Sequence, residues 1–340
     1  MASYTGLRLE PVTALGVNVL PNGTIHWNGS RQLFYPVGLH IRSFSLETNQ
    51  MQFLFPERFE AGCAEVIKIC DVCCTLNGQF IAISEVFRPN FGVLSIYDTE
   101  TQVAHVHLRH ADVQKFLSVT FSNDGGMVAA LGFGPEATRV VVWKMGRQVS
   151  LAASFVVPSS TKGVAFDPQD SFRVLIFGST QISTVLINTI DKIQKKIEID
   201  KISNYERFCF VSAVSGLLLV STEDTLITIM NDEVVEVSKP IKRKIELLKS
   251  VRNLVFLVSE GTVYFYKANN CAPFLIPLGP LDLNVKNISD FSPSPDGDLA
   301  VAFHDESFVG LLDLNVALKL LKNQKDVEEN ENMKLNKEQQ

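Results

Sequence analysis

The sequence lacks the short patterns that mark common chemistries: it has no G-x-S-x-G elbow, no H-E-x-x-H pair and no EF-hand loop. Gly132-Phe133-Gly134-Pro135 imitates a glycine-rich phosphate loop, but it joins two apolar strand-like runs without the lysine or the following helix that phosphate binding needs. No catalytic residue, cofactor, metal or small-molecule substrate is therefore expected. Long apolar runs are missing too, which excludes a membrane-spanning helix. The opening Met1-Ala2-Ser3-Tyr4-Thr5-Gly6 has no basic segment ahead of an apolar one, as an export signal would, so the expectation is a soluble protein of the cytoplasm. Without export, the sequons at Asn28-Gly29-Ser30 and Asn287-Ile288-Ser289 carry no weight. Positive charge is in deficit, with 31 Lys and Arg against 37 Asp and Glu, so no overall field recruits nucleic acid.

Cysteine is scarce as well. The six residues at 63, 70, 73, 74, 209 and 271 are too few and too clustered for a disulfide framework in 340 residues. Cys70-x-x-Cys73-Cys74 has the spacing of half a zinc site, but no second half completes it, and these thiols read as small apolar residues of a strand. His105, His107 and His110 lie close together, yet the first two alternate along one strand face and no carboxylate or Cys completes a site.

What the sequence has is apolar bulk in short alternating pieces: 46% hydrophobic residues, 23 of the chain being Phe. The stretch Leu117 to Phe155 shows the unit. Leu117, Val119 and Phe121 alternate with Ser118, Thr120 and Ser122, the period of two of a strand with one buried face. Asn123-Asp124-Gly125-Gly126 offers residues that accept positive φ in a tight hairpin. Met127 to Leu131 and Val140 to Trp143 are nearly continuous apolar runs, as in strands covered on both sides. Val149, Leu151, Ala153 and Phe155 then alternate with polar neighbours, which suits an outermost strand. One such four-stranded sheet cannot bury its own faces, so copies must stack on it.

Turn markers recur at Asn22-Gly23, Asn77-Gly78, Asp124-Gly125, Pro168-Gln169-Asp170, Ser215-Gly216, Arg252-Asn253 and Asp296-Gly297, with steps of 55, 47, 45, 46, 37 and 44 residues. WD-type blades repeat at about 40–45 residues. Tyr97-Asp98 and Leu312-Asp313 are worn forms of the Trp-Asp dipeptide, Trp143-Lys144 keeps only the Trp, and His110 stands where such repeats place a His that bonds an inner-strand partner. The expected fold is all-β, a seven-bladed WD-type β-propeller over 1–315, with Gly16 to Leu20 opening the first blade and an insertion between Phe53 and Ile69. Leu7 to Val12 is left to close the ring as the outer strand of the seventh blade. Residues 316–340 form a charged tail, a short helix fraying into disorder.

Propellers of this type dock partners on the face that carries the second-to-third-strand loops and the inter-blade connections. Two segments there stand out. Glu85 to Gly92 reads as a long loop carrying Phe87, Arg88 and Phe91, residue types common at interface hot spots. Lys239, Lys242, Arg243 and Lys244 crowd one inter-blade connection and suit an acidic protein surface such as tubulin.

The runs Phe80 to Glu85, Leu94 to Asp98, Phe116 to Gln148 and Val164 to Asp170 resemble the N-terminal propeller of cilia- and flagella-associated WD-repeat proteins, most of all the cilia- and flagella-associated protein 57 group, with the paralogues of the inner-dynein tether complex as near alternatives. The resemblance is detailed over residues 30 to 190 and elsewhere extends only to the blades. Where the family tends to carry Pro-Asp-Trp, this chain has Pro135-Glu136-Ala137. Family members are longer, so the chain looks like a short member or an N-terminal fragment. The resemblance implies a scaffold of the ciliary or flagellar axoneme without enzymatic activity, docking dynein-arm or regulatory-complex components and tubulin. A general cytoplasmic WD-type adaptor, in trafficking or ubiquitin ligation, fits the same fold.

Overall fold

The structure is a computed structural model that describes residues 10–14, 25–29, 31–54, 65–167, 169–178, 182–187, 194–197, 210–214, 216–231, 233–238, 241, 243–283, 288–304 and 308–323. The described strands form seven antiparallel sheets of four strands each, a seven-bladed WD-type propeller. Six blades are built from consecutive strands in sequence order. The seventh takes its first three strands from Ile288–Pro293, Leu299–His304 and Phe308–Asp313 and its outermost from Glu10–Ala14. The N-terminal segment therefore closes the ring, two to three residues later in the chain than the pattern at Leu7 to Val12 predicts, with Glu10 opposite Leu311 and Ala14 opposite Phe308.

Each gap between neighbouring blades holds its own apolar cluster. Blades two and three share Leu94, Phe116, Val128 and Trp143; blades six and seven share Phe256, Phe265, Phe291 and Leu312. The continuous apolar runs of the second and third strands account for this, because both faces of those strands are covered. A fully buried Leu or Phe contributes about 1.5–3 kcal/mol, so the stacking of blades carries the stability that no blade has alone.

Asn77-Gly78, Asp124-Gly125, Arg252-Asn253 and Asp296-Gly297 turn where the sequence places them, and paired strands flank the markers at Gln169 and Gly216, whose neighbours Pro168 and Ser215 lie outside the described residues. The exception is the first blade, whose strands His26–Asn28 and Gln32–Val37 meet at Asn28-Gly29, where Gly29 has φ 62. Asn22-Gly23 and Gly16 to Leu20 lie outside the described residues. The sequon-like Asn28-Gly29 is thus the hairpin turn, and moving the marker to Asn28 shortens the first step from 55 to 49 residues. Three turns share a side-chain device. Ser122 accepts from Met127 N–H at 2.9 Å and donates to Asp124 Oδ1 at 2.6 Å; Ser294 does the same with Leu299 and Asp296; Thr75 accepts from Phe80 N–H at 3.0 Å.

The outer strand of blade three, Ser150–Val157, departs from the alternation expected of it. A bulge sets Trp143 opposite Leu151 but Val142 opposite Ala153. The extra residue flips the pattern, so Ala153 is buried while Leu151 faces solvent.

Residues 314–323 form a helix. Asp313, the second half of a worn Trp-Asp pair, caps it by accepting Val316 N–H at 3.0 Å. Leu314, Ala317 and Leu321 lie in the cluster between blades six and seven, so the boundary at 315 falls inside an element packed on the propeller. Residues 324–340 lie outside the described ones.

Candidate interaction surface

The upper ends of blades two and three are fully described and form a continuous surface. Strands Phe80–Phe87 and Phe91–Asp98 are longer than expected, so the anticipated loop shrinks to a turn at Arg88-Pro89-Asn90. This changes the roles of its aromatic residues. Phe87 ends a strand and is 0% exposed, so it is a core residue and offers nothing to a partner. Phe91 is half-buried, its ring stacked on Phe87 at 5.5 Å with the Arg109 guanidinium 4.3 Å from its centroid. Arg88 is exposed and reaches Glu65 at 3.6 Å, a solvent-exposed pair of little energetic weight.

The same arrangement recurs one blade on. Lys115 Nζ sits 4.9 Å from the centroid of Phe133, a ring that is 41% exposed. Below it Arg139 reaches Asp112 at 3.3 Å. Gly134 permits this tight junction, since a Cβ there would stand 1.9 Å from Asp112 O. Two cations thus lie over two aromatic rings. Cation–π placement holds a long side chain in one position while leaving its N–H groups open to a partner, at about 0.5–1 kcal/mol when exposed. The sequence reading found Arg88 and Phe91 but missed Arg109, Lys115 and Phe133. The pairing Lys115 opposite Phe133 follows from strand register alone, and that was the available signal.

The second expected patch is less open. Arg243 is exposed but reaches Glu260 at 3.6 Å; Lys244 is exposed, with its backbone carbonyl taken by Ser259 Oγ at 2.7 Å. Lys239 and Lys242 lie outside the described residues.

The three close histidines diverge. His105 packs on Phe80, and His110 Nε2 meets Ser154 Oγ at 3.0 Å on the outermost strand, not on an inner-strand partner. His107 does have a carboxylate within its network: its Nδ1 lies 3.0 Å from Ser95 Oγ, and Ser95 donates to Glu85 Oε2 at 2.7 Å. The acid, hydroxyl and imidazole resemble a hydrolytic set, but Ser95 and Glu85 are both 0% exposed, and no acyl group can reach the hydroxyl. Here they tie three strands together. Burial lowers the His107 pKa, favouring the neutral ring.

Cys70, Cys73 and Cys74 lie in strand Val66–Cys74, as expected, and burial raises each thiol pKa, Cys73 to about 12. They stay protonated and unreactive at neutral pH. Nearer the ring axis, Asp71 and Asp290 occupy equivalent positions, each seven residues before its turn glycine and 1% exposed. Each reaches across to the next blade: Asp71 Oδ2 accepts Val119 N–H at 2.7 Å, and Asp290 Oδ2 accepts Ile25 N–H at 2.9 Å. Among the described residues no cluster of three or more His, Cys, Asp or Glu could hold a metal, and no helix is long and apolar enough to cross a membrane.

No protein-family model matches the chain, and no curated protein matches it either. Solved structures do. A chain in the crystal structure of the mitotic checkpoint complex superposes with a TM-score of 0.68 at 10% identity, over 92% of this chain and 98% of that one. The β-propeller domain of Cps50 (Swd1) from Myceliophteria thermophila gives 0.58 at 12% identity, over 74% and 86%. At such identities the likeness establishes the fold alone, a WD-type seven-bladed propeller.

Proposed function

We propose that the chain is a non-enzymatic docking scaffold whose working surface is the upper end of blades two and three. The observation that carries this reading is the doubled cation-on-aromatic arrangement, Arg109 over Phe91 and Lys115 over Phe133, beside the exposed Arg88. Arg and aromatic residues dominate interface hot spots, and the rigid blades beneath hold them in place at little entropic cost on binding. A chain of the same fold is part of the mitotic checkpoint complex, which supports protein partners here.

The finer reading is an axonemal scaffold that holds dynein-arm or regulatory-complex components near tubulin, and it rests on the sequence resemblance over residues 30 to 190. A tagged copy in a ciliated cell should concentrate along the axoneme and stay with it after detergent extraction. A diffuse or vesicular signal would overturn the axonemal reading in favour of a cytoplasmic adaptor. Loss of recruitment in a Phe91→Ala/Arg109→Gln chain that stays folded, with only a small drop in melting temperature, would support the docking surface in either compartment.

A further inference from the structure

Among the described residues, each blade ends at the rim in a strand with no further strand paired to its outer edge. Such edges invite pairing with other chains, and proteins blunt them with short length, charge or proline. Six of these strands are blunted. Blade one's is four residues, Met51–Leu54; blade two's is five, Ala104–Leu108, with two His. Blade four's carries Lys195 and Lys196, and blade five's Glu233 and Glu236. Blade six's holds Pro277 and Pro280, and the closing strand holds Glu10 and Pro11.

Blade three's outer strand has none of these devices. Ser150–Val157 runs for eight residues without a charge or a proline, and Leu151 and Val156 are 56% and 57% exposed. Beyond the bulge at Ala152 a straight run from Ala153 to Val157 stays in register with Thr138 to Val142. We propose that this edge accepts an extended, uncharged segment of a partner protein as a fifth strand of blade three.

Three features select that occupant. A strand edge is complementary to another extended backbone and to little else. With no charge along it, the strand gives a charged segment nothing to pair with, and burying such a segment against Leu151 and Val156 would be unfavourable. A second copy meeting it edge to edge would offer only these eight residues a side, against about 20–30 in a stable interface. The segment must therefore belong to a protein held elsewhere as well. Val156 lies opposite Arg139, whose ion pair with Asp112 is part of the upper surface, so the edge runs directly up to the docking site. The source of the segment rests on the docking proposal, whereas the acceptor edge does not.

The test uses the purified full chain and a capped peptide of alternating Thr and Val, with an alternately N-methylated copy that cannot pair as a strand. Hydrogen exchange should show the first peptide protecting amides of residues 150–157 and no other rim strand, and the methylated copy protecting none. Leu151→Lys with Val156→Lys should weaken peptide binding at least tenfold without shifting the melting temperature. Protection spread evenly over the rim, or binding indifferent to the two lysines, would overturn the proposal. So would a concentration-dependent dimer of the wild type that the lysines dissolve, since the occupant would then be a second copy. The Phe91→Ala/Arg109→Gln chain should bind the peptide like the wild type. Partner recruitment that survives in it would overturn the docking surface while the strand acceptor stands.

Discussion

Two phenylalanines four positions apart sit in different surroundings. Phe87 closes a strand and is fully buried, and Phe91 stacks on it with the Arg109 guanidinium over its ring. Phe87→Ala should cost about 3–5 kcal/mol in urea unfolding, because it leaves a cavity. Phe91→Ala with Arg109→Gln should cost only about 1 kcal/mol of stability yet weaken partner recruitment by roughly 2 kcal/mol or more. If both changes shift stability alike, Phe91 belongs to the core and docking lies elsewhere. His107 makes a separate prediction. Its imidazole faces Ser95, with Glu85 behind the hydroxyl and Tyr97 edge-on at 6.1 Å, and burial depresses its pKa below the ordinary value of 6.5. A depressed native pKa means that the unfolded chain binds the proton more readily. The contribution to stability is therefore complete above about pH 6.5 and is lost as pH falls from there through the native pKa. Melting temperature should drop across this acid window, and His107→Gln should flatten the drop; an unchanged slope would place the titration on another group.

At the scale of elements, turn chemistry made most of the architecture legible. Asn77-Gly78, Asp124-Gly125 and Asp296-Gly297 each put a positive-φ glycine after an Asx residue, and the sequence shows this without the structure. Blade one misled because Asn22-Gly23 and Asn28-Gly29 are equivalent on local grounds, and only pairing with Gln32–Val37 separates them. His107 stands out in the sequence but its partners do not: Ser95 lies directly opposite it and Glu85 diagonal to Ser95, and both relations need the register first. The C-terminal helix was expected, but its packing was not, since three buried residues, Leu314, Ala317 and Leu321, in so short a helix give little periodicity. Leu321 lies 3.2 Å from where a Cβ on Gly279 of blade six would stand, and Ala317 is fully buried. Truncation after Asp313 should therefore melt the chain at a lower temperature than truncation after Asn323, and Leu321→Asp should reproduce most of the difference. Equal melting of the two truncations would show that the helix is dispensable.

At the scale of the molecule, a ring of blades is stable only if its last gap is as tight as the others, because an open end would expose a sheet face and a strand edge. That last gap, between blades seven and one, is held by the strand Glu10–Ala14, by Asp290 on Ile25 N–H and by Trp27 Nε1 donating to Ser292 O at 3.0 Å. Lys249 of blade six approaches Asp290 Oδ1 at 3.6 Å and extends the tie across a third blade. Asp71 makes the same carboxylate-to-amide bridge within the continuous part of the ring, which makes it a matched control. Either Asp→Ala change leaves a buried N–H without its acceptor and should cost about 1–3 kcal/mol. The two should differ in how they combine with removal of residues 1–14. Deletion of the closing strand opens the seam that Asp290 bridges, so Asp290→Ala should add little to the deletion, whereas Asp71→Ala acts between blades two and three, in a gap that stays shut, and should add in full. Urea unfolding of the two double variants against their singles measures both couplings. Equal additivity would mean that the N-terminal strand and the Asp290 bridge stabilise the ring independently, and closure would then be a sum of local contacts rather than one cooperative seam.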